Sequence, residues 1–469
     1  MSLDSKSGLS FSGSLGYILK QAWPILISQW AGIAFAVMDS MMLGHFSPDS
    51  LQAMALATSI FLTVNIGLMG VVHALIPICA QLLGSNKKEE IGRIWGQGLW
   101  LSFTLSLVGG LVLLFPDVWL SMSGDVPAHV RDEVAIYLRI IFIALPASLM
   151  FRAVYALCTA VQKPKLVMQI NLFSIALKAL LNWLLIFGHF GLPALGSAGA
   201  STATAIVSWL MFFSGLWILF NNPFYRQFNL TLGRPQRKYL AEILKLGIPM
   251  GGSYLVEVSA FTFMALLAAR EGTFVSGGHQ VLSNLTAILY MMPLSLGIAT
   301  SSLTASAVGA RNFRFAHQIA MSGLLLSLIG VGLSITIVLL GKPLIIRAYT
   351  SDPQVALVAG ALLTIIPLLH FSDAMQCMIS YILRAYKIAA IPFILQTVLL
   401  LGLGLAGGWY FGFGNGVGFL RPLNHLLTPG APVGVSSLWI MCSLSLLICS
   451  FFLHIWYWKV IYYAKRKSW

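Results

Sequence analysis

Twelve long apolar stretches dominate this sequence and leave few polar residues to cover a folded surface. Charged residues make up only 9% of the 469 residues, whereas about a quarter is usual for a soluble domain. Hydrophobic residues make up 58%, and the mean hydropathy is +0.86. A chain of this composition cannot be a water-soluble globular protein, so its solvent must be lipid.

The length of each stretch suits a membrane-spanning helix, which needs about 20 apolar residues to cross the hydrocarbon layer. Runs bounded by charge, Gly or Pro predict six spans at residues 15–44, 51–82, 94–116, 134–161, 165–188 and 199–220. Six more are predicted at residues 239–269, 277–308, 315–339, 355–385, 391–410 and 436–458. We therefore expect an all-α integral membrane protein with twelve transmembrane helices.

The distribution of basic residues predicts the orientation of these helices. Of the 28 Lys and Arg residues, twenty fall on the side that carries both chain ends, with Arg384 counted among them, and six fall on the opposite side. Cytoplasmic loops carry such an excess of Lys and Arg. Both termini, with a tail at residues 1–14 and a basic tail at 459–469, are therefore expected in the cytoplasm. Because the basic residues set topology, the net charge of +14 does not indicate nucleic-acid binding.

The two halves of the chain resemble one another at one constant offset, which pairs Lys20 with Lys245 and Pro24 with Pro249. Chance similarity is the alternative, but Lys and Pro are scarce in this chain. A chain that crosses the membrane six times ends on the side of the membrane from which it started. The copies would therefore enter the membrane in the same sense, as parallel repeats about the membrane normal.

This repeat predicts two pseudo-symmetric six-helix lobes with a cleft between them. The first lobe is expected at residues 15–220 and the second at 239–458. A basic, Pro-containing linker at residues 221–238 would join them in the cytoplasm.

Three carboxylates, those of Asp39, Glu257 and Asp373, lie inside predicted spans. A charged side chain at the membrane centre costs about 2.5–3.5 kcal/mol on insertion scales, so such groups usually face a cavity and bind or relay ions. The alternative is a side chain that points to the interface or pairs with a neighbouring helix. Glu257 and Asp373 belong to the same half, where burial and mutual repulsion favour uptake of a proton or a sodium ion.

Span five carries Lys178 and Asn182 four residues apart, hence on one face of the helix. A lysine this deep either snorkels to the cytoplasmic side or forms a salt bridge with Asp39. Pro24 and Pro249 remove a backbone hydrogen bond below the carboxylates of spans one and seven. Both prolines are predicted to be hinges.

Enzymatic machinery is not indicated by any motif in the sequence. No predicted strand-to-helix turn carries an HExxH, GxSxG, Walker or GxGxxG element, so neither catalysis nor nucleotide binding is indicated. The five cysteines lie in apolar segments without a CxxC pair, so we expect them to pack rather than form disulfides or bind zinc. His370 and Asp373, three residues apart, could share a proton, although a hydrogen-bonded core histidine is the commoner explanation.

Six stretches together resemble a known family, the multidrug and toxic compound extrusion (MATE) transporters, and within it the NorM-type bacterial members. They are PILISQWAGIAFAVMDSMMLGHFS, ALIPICAQLLG, LNWLLIFGHFGLPALGSAGASTATA, LGIPMGGSYLVEVSAF, GGHQVLSNLTAILYMMPLSLGIATS and SDAMQCMISYILRAYK. The resemblance implies a monomer in the bacterial inner membrane that exports amphipathic organic cations by alternating access. Export would be in exchange for sodium ions or protons, with no other cofactor.

The resemblance also implies roles for particular residues. Glu257 and Asp373 would form the cation site of the second lobe and supply the ligands if sodium is the ion. Asp39, Asn182 and Thr204 would form the polar site of the first lobe.

Three further residues, Tyr290, Met291 and Tyr381, would line the drug path. Aromatic faces attract cationic ligands, and Met adapts its shape to different ligands. Ordinary helix packing is the alternative explanation for each of them.

Three positions depart from the pattern of the NorM-type relatives. Lys178 stands where those relatives tend to have an asparagine, Ile388 where they often have an aspartate, and the acidic residue usual near Leu157 is missing. We therefore expect that sodium does not bind in the first lobe, and that the Lys178 ammonium takes its place beside Asp39.

Two other functions remain open from the sequence. A flippase for a lipid-linked precursor would share the helical plan, but would favour a strongly cationic cavity and extra helices. A membrane-embedded enzyme acting through His370 and Asp373 is the second alternative.

Overall fold

The computed structural model describes residues 10–120 and 127–467, with side chains as far as Tyr463. Over these residues the chain is helical, and no β-strand occurs. The parts of the predicted tails at residues 1–9 and 468–469 lie outside the described residues.

Twelve helices within the described residues are long and apolar enough to cross a membrane, which confirms the predicted fold class. In the first half they are α1 Phe11–Phe46, α2 Pro48–Gly84, α3 Lys88–Leu113, α4 Ala128–Ala160, α5 Lys165–Phe187 and α6 Ser197–Asn221. In the second half they are α7 Arg237–Glu271, α8 Thr273–Gly309, α9 Phe313–Tyr349, α10 Pro353–Ala385, α11 Ala390–Phe413 and α12 Val433–Tyr463. The main difference is at α9, which continues past the predicted end and takes in Lys342 and Arg347.

The helix boundaries follow the predicted repeat. The offset that pairs Lys20 with Lys245 also carries Pro48–Gly84 onto Thr273–Gly309, and Ala128–Ala160 onto Pro353–Ala385. The two halves therefore share one order and spacing of helices.

The turns between helices repeat as well. Asn86 after α2 and Arg311 after α8 both have a φ of 58°. Gln162 after α4 and Lys387 after α10 have φ values of 64° and 59°. This left-handed conformation costs a side-chain-bearing residue energy, so its recurrence at matched positions indicates that packing imposes the same turn in both halves.

The chain divides into two compact units whose boundaries lie within helices. The first unit comprises residues 23–251, and the second comprises the residues up to Ala22 together with those from Gly252 onward. The boundaries lie inside α1 and α7, close to Pro24 and Pro249. The sequence places the joint in the linker instead, because a change of packing partner within one helix leaves no mark in composition.

The start of α1 belongs to the second unit, and the start of α7 belongs to the first unit. Packing contacts explain both assignments. At the start of α1, Ile18 is fully buried, and Ser14 Oγ accepts a hydrogen bond of 2.8 Å from Gln318 of the second unit. At the start of α7, Gly247 lies so close to α2 that a Cβ atom there would be 2.6 Å from the carbonyl oxygen of Val71.

The segment that joins α6 to α7, residues 222–236, is packed against α3, and we call it the linker strap. Gln97 of α3 donates from Nε2 to the carbonyl oxygen of Arg234 at 2.9 Å and accepts from the backbone N–H of Gln236 at 2.6 Å. Trp100 Nε1 donates to the carbonyl oxygen of Gly233 at 3.0 Å. These side chains satisfy backbone groups that a loop otherwise leaves to water.

Two glycines of α3 allow this close approach. A Cβ atom at Gly92 would lie 2.1 Å from the carbonyl oxygen of Phe228, and one at Gly96 would lie 2.1 Å from that of Thr231. Non-bonded atoms do not come this close, so any side chain at either position would push the linker strap away from α3.

The five cysteines and His279 contribute to packing, as the sequence suggests for the cysteines. All five cysteines are buried and free. His279 is buried, and its Nδ1 accepts a hydrogen bond of 3.1 Å from Trp439 Nε1. Over the described ranges, no group of three or more His, Cys, Asp and Glu side chains could hold a metal ion.

We predict that Gly96→Ala destabilises the protein, although Ala favours a helix over Gly by about 1 kcal/mol. The added methyl group meets backbone atoms of the linker strap, and overpacking of this kind costs about 1–3 kcal/mol. The matched control is Gly16→Ala, because no atom lies within 4 Å of a Cβ there. Thermal unfolding in detergent should show a lower Tm for Gly96→Ala alone; equal Tm values would contradict close packing of the strap.

Candidate functional site

In the first unit, four polar side chains from three helices form one network of hydrogen bonds and an ion pair. Asp39 of α1 pairs with Lys178 of α5, with 2.9 Å between Oδ2 and Nζ. Asn182 Nδ2 donates to the other oxygen, Asp39 Oδ1, at 2.6 Å. Lys178 Nζ also donates to Thr204 Oγ1 of α6 at 2.5 Å. The structure therefore brings together all the residues predicted for this site.

Burial makes this network costly to break. Asp39 is 7% exposed and Lys178 is 2% exposed, so the lysine does not snorkel to the cytoplasmic side. Each charge compensates the other, and removing one partner of such a pair leaves an uncompensated buried charge at a cost of about 3–5 kcal/mol. Both carboxylate oxygens of Asp39 already accept a hydrogen bond or ion pair.

A cavity of about 290 Å³ borders this network, and all the residues that line it belong to the first unit. Its lining includes Asp39, Lys178, Thr204 and Tyr137, together with Arg152, which the sequence analysis did not single out. Among the lining residues Asp39 is the only acid, whereas Lys178 and Arg152 are both basic. The cavity therefore offers no unpaired carboxylate to a cationic ligand.

In the second unit, Glu257 of α7 and Asp373 of α10 lie close enough to repel one another. Asp373 is 3% exposed, while Glu257 is only partly buried. Glu257 also forms side-chain hydrogen bonds with Tyr290 of α8 and Gln396 of α11. Two carboxylates at one site, one of them accessible, can share a proton or a small cation that relieves their repulsion.

Gln396 was not predicted, and a local irregularity accompanies it. The residues that follow it, Thr397–Ala406, form a π-helix within α11. Such insertions are frequent at functional sites because they turn a side chain away from its regular helical direction. Met291, adjacent to Tyr290, is partly exposed, as a residue lining a path would be.

Arg384, which the sequence places among the basic residues of the cytoplasmic side, is not an exposed loop residue. It is 4% exposed in the last turn of α10. Its Nη1 donates to Tyr254 Oη at 3.1 Å, and its guanidinium carbon lies 4.4 Å from the ring centroid of Tyr381. The spacing of Tyr381 and Arg384, three residues apart on one helical face, could have indicated this contact.

The geometry around Tyr381 differs from that expected of a residue lining a drug path. Its ring face is covered by Arg384, and its hydroxyl is hydrogen-bonded to that of Tyr254. A Cβ atom at Gly297 would lie 3.0 Å from its ring. Tyr381 is thus packed against Arg384, Tyr254 and the backbone of α8 at Gly297.

His370 is buried, and its Nε2 has no hydrogen-bond partner among the described residues. A shared proton between that nitrogen and Asp373 is therefore not formed.

We predict that Asp39→Asn and Lys178→Met each destabilise the protein strongly, by about 3–5 kcal/mol, because each leaves the other charge buried and unpaired. The double variant should be more stable than the sum of the two effects implies. Thermal unfolding in detergent of all four proteins measures this coupling. Simple additivity would show that the pair does not interact as described.

Comparison with known proteins agrees with this architecture. The family model MatE matches the chain twice, at residues 24–184 and 249–410, and the two matches begin at Pro24 and Pro249, which the predicted repeat pairs. A probable multidrug resistance protein NorM of Aromatoleum aromaticum is 35% identical over 400 residues, which cover 85% of this chain and 86% of the relative. Another, of Chromobacterium violaceum, is 33% identical and covers 95% of this chain and 92% of the relative.

Solved structures confirm the fold. The crystal structure of the eukaryotic MATE transporter AtDTX14 superposes with a TM-score of 0.85, at 19% identity, over 98% of this chain and 100% of that chain. The relatives are transporters rather than enzymes, so a membrane-embedded enzyme is rejected as the function. With two matches to one family model and NorM relatives over most of its length, this chain, a multi-pass membrane protein, belongs to the MatE family.

Proposed function

We propose that this protein exports amphipathic drugs, mostly organic cations, across a bacterial inner membrane by antiport with Na⁺ or H⁺. Its NorM relatives are named as multidrug resistance proteins, which supports the drug as cargo. The observation that supports the coupling step is the pairing, in the second unit, of the buried Asp373 with the partly buried Glu257. The coupling ion is transported cargo, so no resident cofactor is required.

Ion entry changes the balance of charge at this pair. Without an ion, the two carboxylates repel one another, and a cation or proton relieves that repulsion. An ion that enters from outside would therefore bind tightly at one stage of the cycle and leave at another. Each unit charge moved through 100 mV supplies about 2.3 kcal/mol, a useful fraction of the work needed to expel a drug.

The first unit has a different part in this proposal. Lys178 already supplies the positive charge beside Asp39, at 2.9 Å, so Asp39, Asn182 and Thr204 bind no coupling ion. The adjacent cavity has no unpaired carboxylate among its lining residues. The cationic group of a substrate would then bind in the second unit, where Tyr290 provides an aromatic ring and Met291 an adaptable thioether.

Movement between the inward-open and outward-open states is proposed to bend α1 and α7. Pro24 and Pro249 lie inside these helices, and each frees one backbone carbonyl and weakens the helix locally. The unit boundaries fall close to both prolines. We also propose that both termini are cytoplasmic and that the protein acts as a monomer surrounded by lipid.

A lipid-linked precursor remains the competing cargo. A flippase for such a substrate favours a strongly cationic cavity and additional helices. The first-unit cavity carries two basic and one acidic side chain, and the described residues contain twelve spans. The names of the relatives also favour a drug.

Sealed vesicles containing purified protein test the proposal directly. Sodium and proton gradients are imposed separately, and ethidium movement is followed by fluorescence. Gradient-driven ethidium transport under either condition supports cation-coupled export. Movement of a labelled lipid-linked sugar without ethidium transport would favour the flippase.

We predict that Glu257→Gln and Asp373→Asn each abolish drug resistance in a sensitive host, because each removes one of the two charges that an ion relieves. Drug susceptibility and membrane protein levels are measured together. The control is Glu89→Gln, which neutralises an exposed carboxylate in the first turn of α3 and should retain resistance. Full resistance in both site variants would exclude these carboxylates from coupling.

We predict that Lys178→Asn creates or strengthens sodium dependence of export, because it leaves Asp39 beside two amides and a hydroxyl without a fixed cation. Transport at constant pH is measured against sodium concentration. Lys459→Asn, at an exposed position near the end of α12, is the control and should match the unaltered protein. An unchanged ion requirement in Lys178→Asn would rule out Lys178 as a substitute for the ion.

A further inference from the structure

We propose that the connection between α11 and α12, residues 414–432, anchors the second unit in the phospholipid surface on the side of the membrane opposite the two termini. We call these residues the interfacial segment. Their partner is the boundary between lipid headgroups and acyl chains, which accepts apolar and basic side chains together. The inference goes beyond the proposed function, because it holds whatever the cargo and the coupling ion are.

The interfacial segment is longer than the repeat requires. The connection at the matching place in the first half, between α5 and α6, covers only residues 188–196. The interfacial segment covers residues 414–432 and contains a short helix, Arg421–Leu427. Joining two neighbouring spans therefore does not account for the additional residues.

One face of the interfacial segment carries large apolar side chains that are exposed. Phe419 is 76% exposed, Leu423 is 36% exposed and Leu426 is 75% exposed. Their spacing of four and three residues places them on one face of a helix. A contiguous apolar surface of this kind marks a contact with a membrane or with another protein.

The buried face carries polar groups, unlike that of a helix on a water-soluble protein. Asn424 is 7% exposed, and its Nδ2 donates to Ser437 Oγ of α12 at 3.4 Å. Thr428, four residues later and 1% exposed, is hydrogen-bonded to Ser436. Leu420 is the apolar member of this face. A surface helix in water turns its apolar residues inward and its polar residues outward, so the outward leucines and phenylalanine indicate an apolar solvent.

Basic residues occupy a third face of the short helix. Arg421 and His425 are both exposed and lie four residues apart, hence on one side. His425 comes two residues after Leu423, and at about 100° per residue the two side chains point roughly 200° apart. Basic and apolar side chains therefore point in nearly opposite directions. This is the arrangement of a helix that lies in a membrane surface, with acyl chains on one side and headgroup phosphates on the other.

The ends of the interfacial segment place it at the depth of the membrane surface. It begins after the last residue of α11 and ends before the first residue of α12. Trp409 and Tyr410, each 45% exposed, lie near the end of α11, and exposed Trp and Tyr are typical of the membrane–water interface. The ring of Phe419 stacks on that of Phe411, with 5.5 Å between centroids. The apolar face is therefore continuous with the lipid-facing surface of α11.

Contacts with neighbouring helices hold the interfacial segment in this orientation. Thr364 Oγ1 of α10 donates to the carbonyl oxygen of Leu427 at 2.6 Å. Directly after the segment, the backbone N–H groups of Gly434 and Val435 donate to the carboxylate of Glu271 in α7, at 2.9 Å and 2.7 Å. An anchor in the membrane surface therefore also holds the ends of α7 and α10, the helices that carry the two second-unit carboxylates.

Spin labels measure the depth of these side chains directly. Single cysteines are introduced as Phe419→Cys, Leu426→Cys, Arg421→Cys and His425→Cys, and each labelled protein is reconstituted into vesicles of phosphatidylcholine and phosphatidylglycerol. Collisions with oxygen, which concentrates among acyl chains, are compared with collisions with a water-soluble nickel chelate. We expect oxygen to dominate at the two apolar positions and nickel at the two basic ones. The native cysteines are buried, and unaltered protein treated with the label gives the background.

A label at Leu333→Cys, at a position of α9 that is 61% exposed, is the reference for a side chain in lipid. Labels at Phe419 and Leu426 that meet nickel more often than oxygen would overturn the inference, because the apolar face would then be in water. Low access to both reagents would overturn it too, since a second copy of the chain or another protein would then cover this face.

Removal of the apolar side chains separates anchoring from mere proximity to lipid. In the combined variant Leu423→Ser and Leu426→Ser, the label at Phe419 should shift towards nickel, because less apolar surface holds the segment in the membrane. The matched control is Leu192→Ser, which changes a leucine that is 42% exposed in the connection between α5 and α6 and should leave the label unchanged. Thermal unfolding in detergent checks that both variants are folded. An unchanged ratio of oxygen to nickel collisions in the folded double variant would contradict anchoring by this face.

Discussion

Compensation of charge within the hydrocarbon layer is the constraint on which the two sites depend. A carboxylate there is stable only if a positive group or a proton accompanies it. Asp39 has a partner of opposite charge in Lys178, at 2.9 Å. Among the described residues, no basic side chain forms such an ion pair with Glu257 or Asp373. Under the proposed function, this uncompensated negative charge makes the second unit respond to an ion.

The duplicated scaffold carries sites that are not duplicated. At the constant offset that relates the two halves, Asp39 corresponds to Met264, Glu257 to Gly32 and Asp373 to Ser148. None of the three carboxylates therefore has an acidic counterpart in the other half. The shared part is helix order, turn geometry and the prolines near the unit boundaries. The polar chemistry has therefore diverged on a common frame, because backbone packing restrains the positions of helices more strongly than the identity of side chains that face a cavity.

The sequence predicts the twelve helices and their repeat well, since hydropathy and spacing are local properties. It also indicates the embedded carboxylates, because Asp39, Glu257 and Asp373 interrupt apolar runs. The burial of Arg384 could not be predicted, because a basic residue in the last turn of a helix has the pattern of a topology signal, and only packing against Tyr254 and Tyr381 reveals that it is buried. The unit boundaries inside α1 and α7 could not be predicted either, since they depend on which helices are neighbours.

The hydrogen bond between Ser14 and Gln318 joins residues 304 positions apart. During synthesis, the start of α1 leaves the ribosome long before its packing partner on α9 exists. The second unit is consequently unfinished until the later helices have been inserted, while the first waits only for the opening turns of α7. Until α9 has been inserted, the start of α1 is therefore without the partner on which it packs in the finished protein.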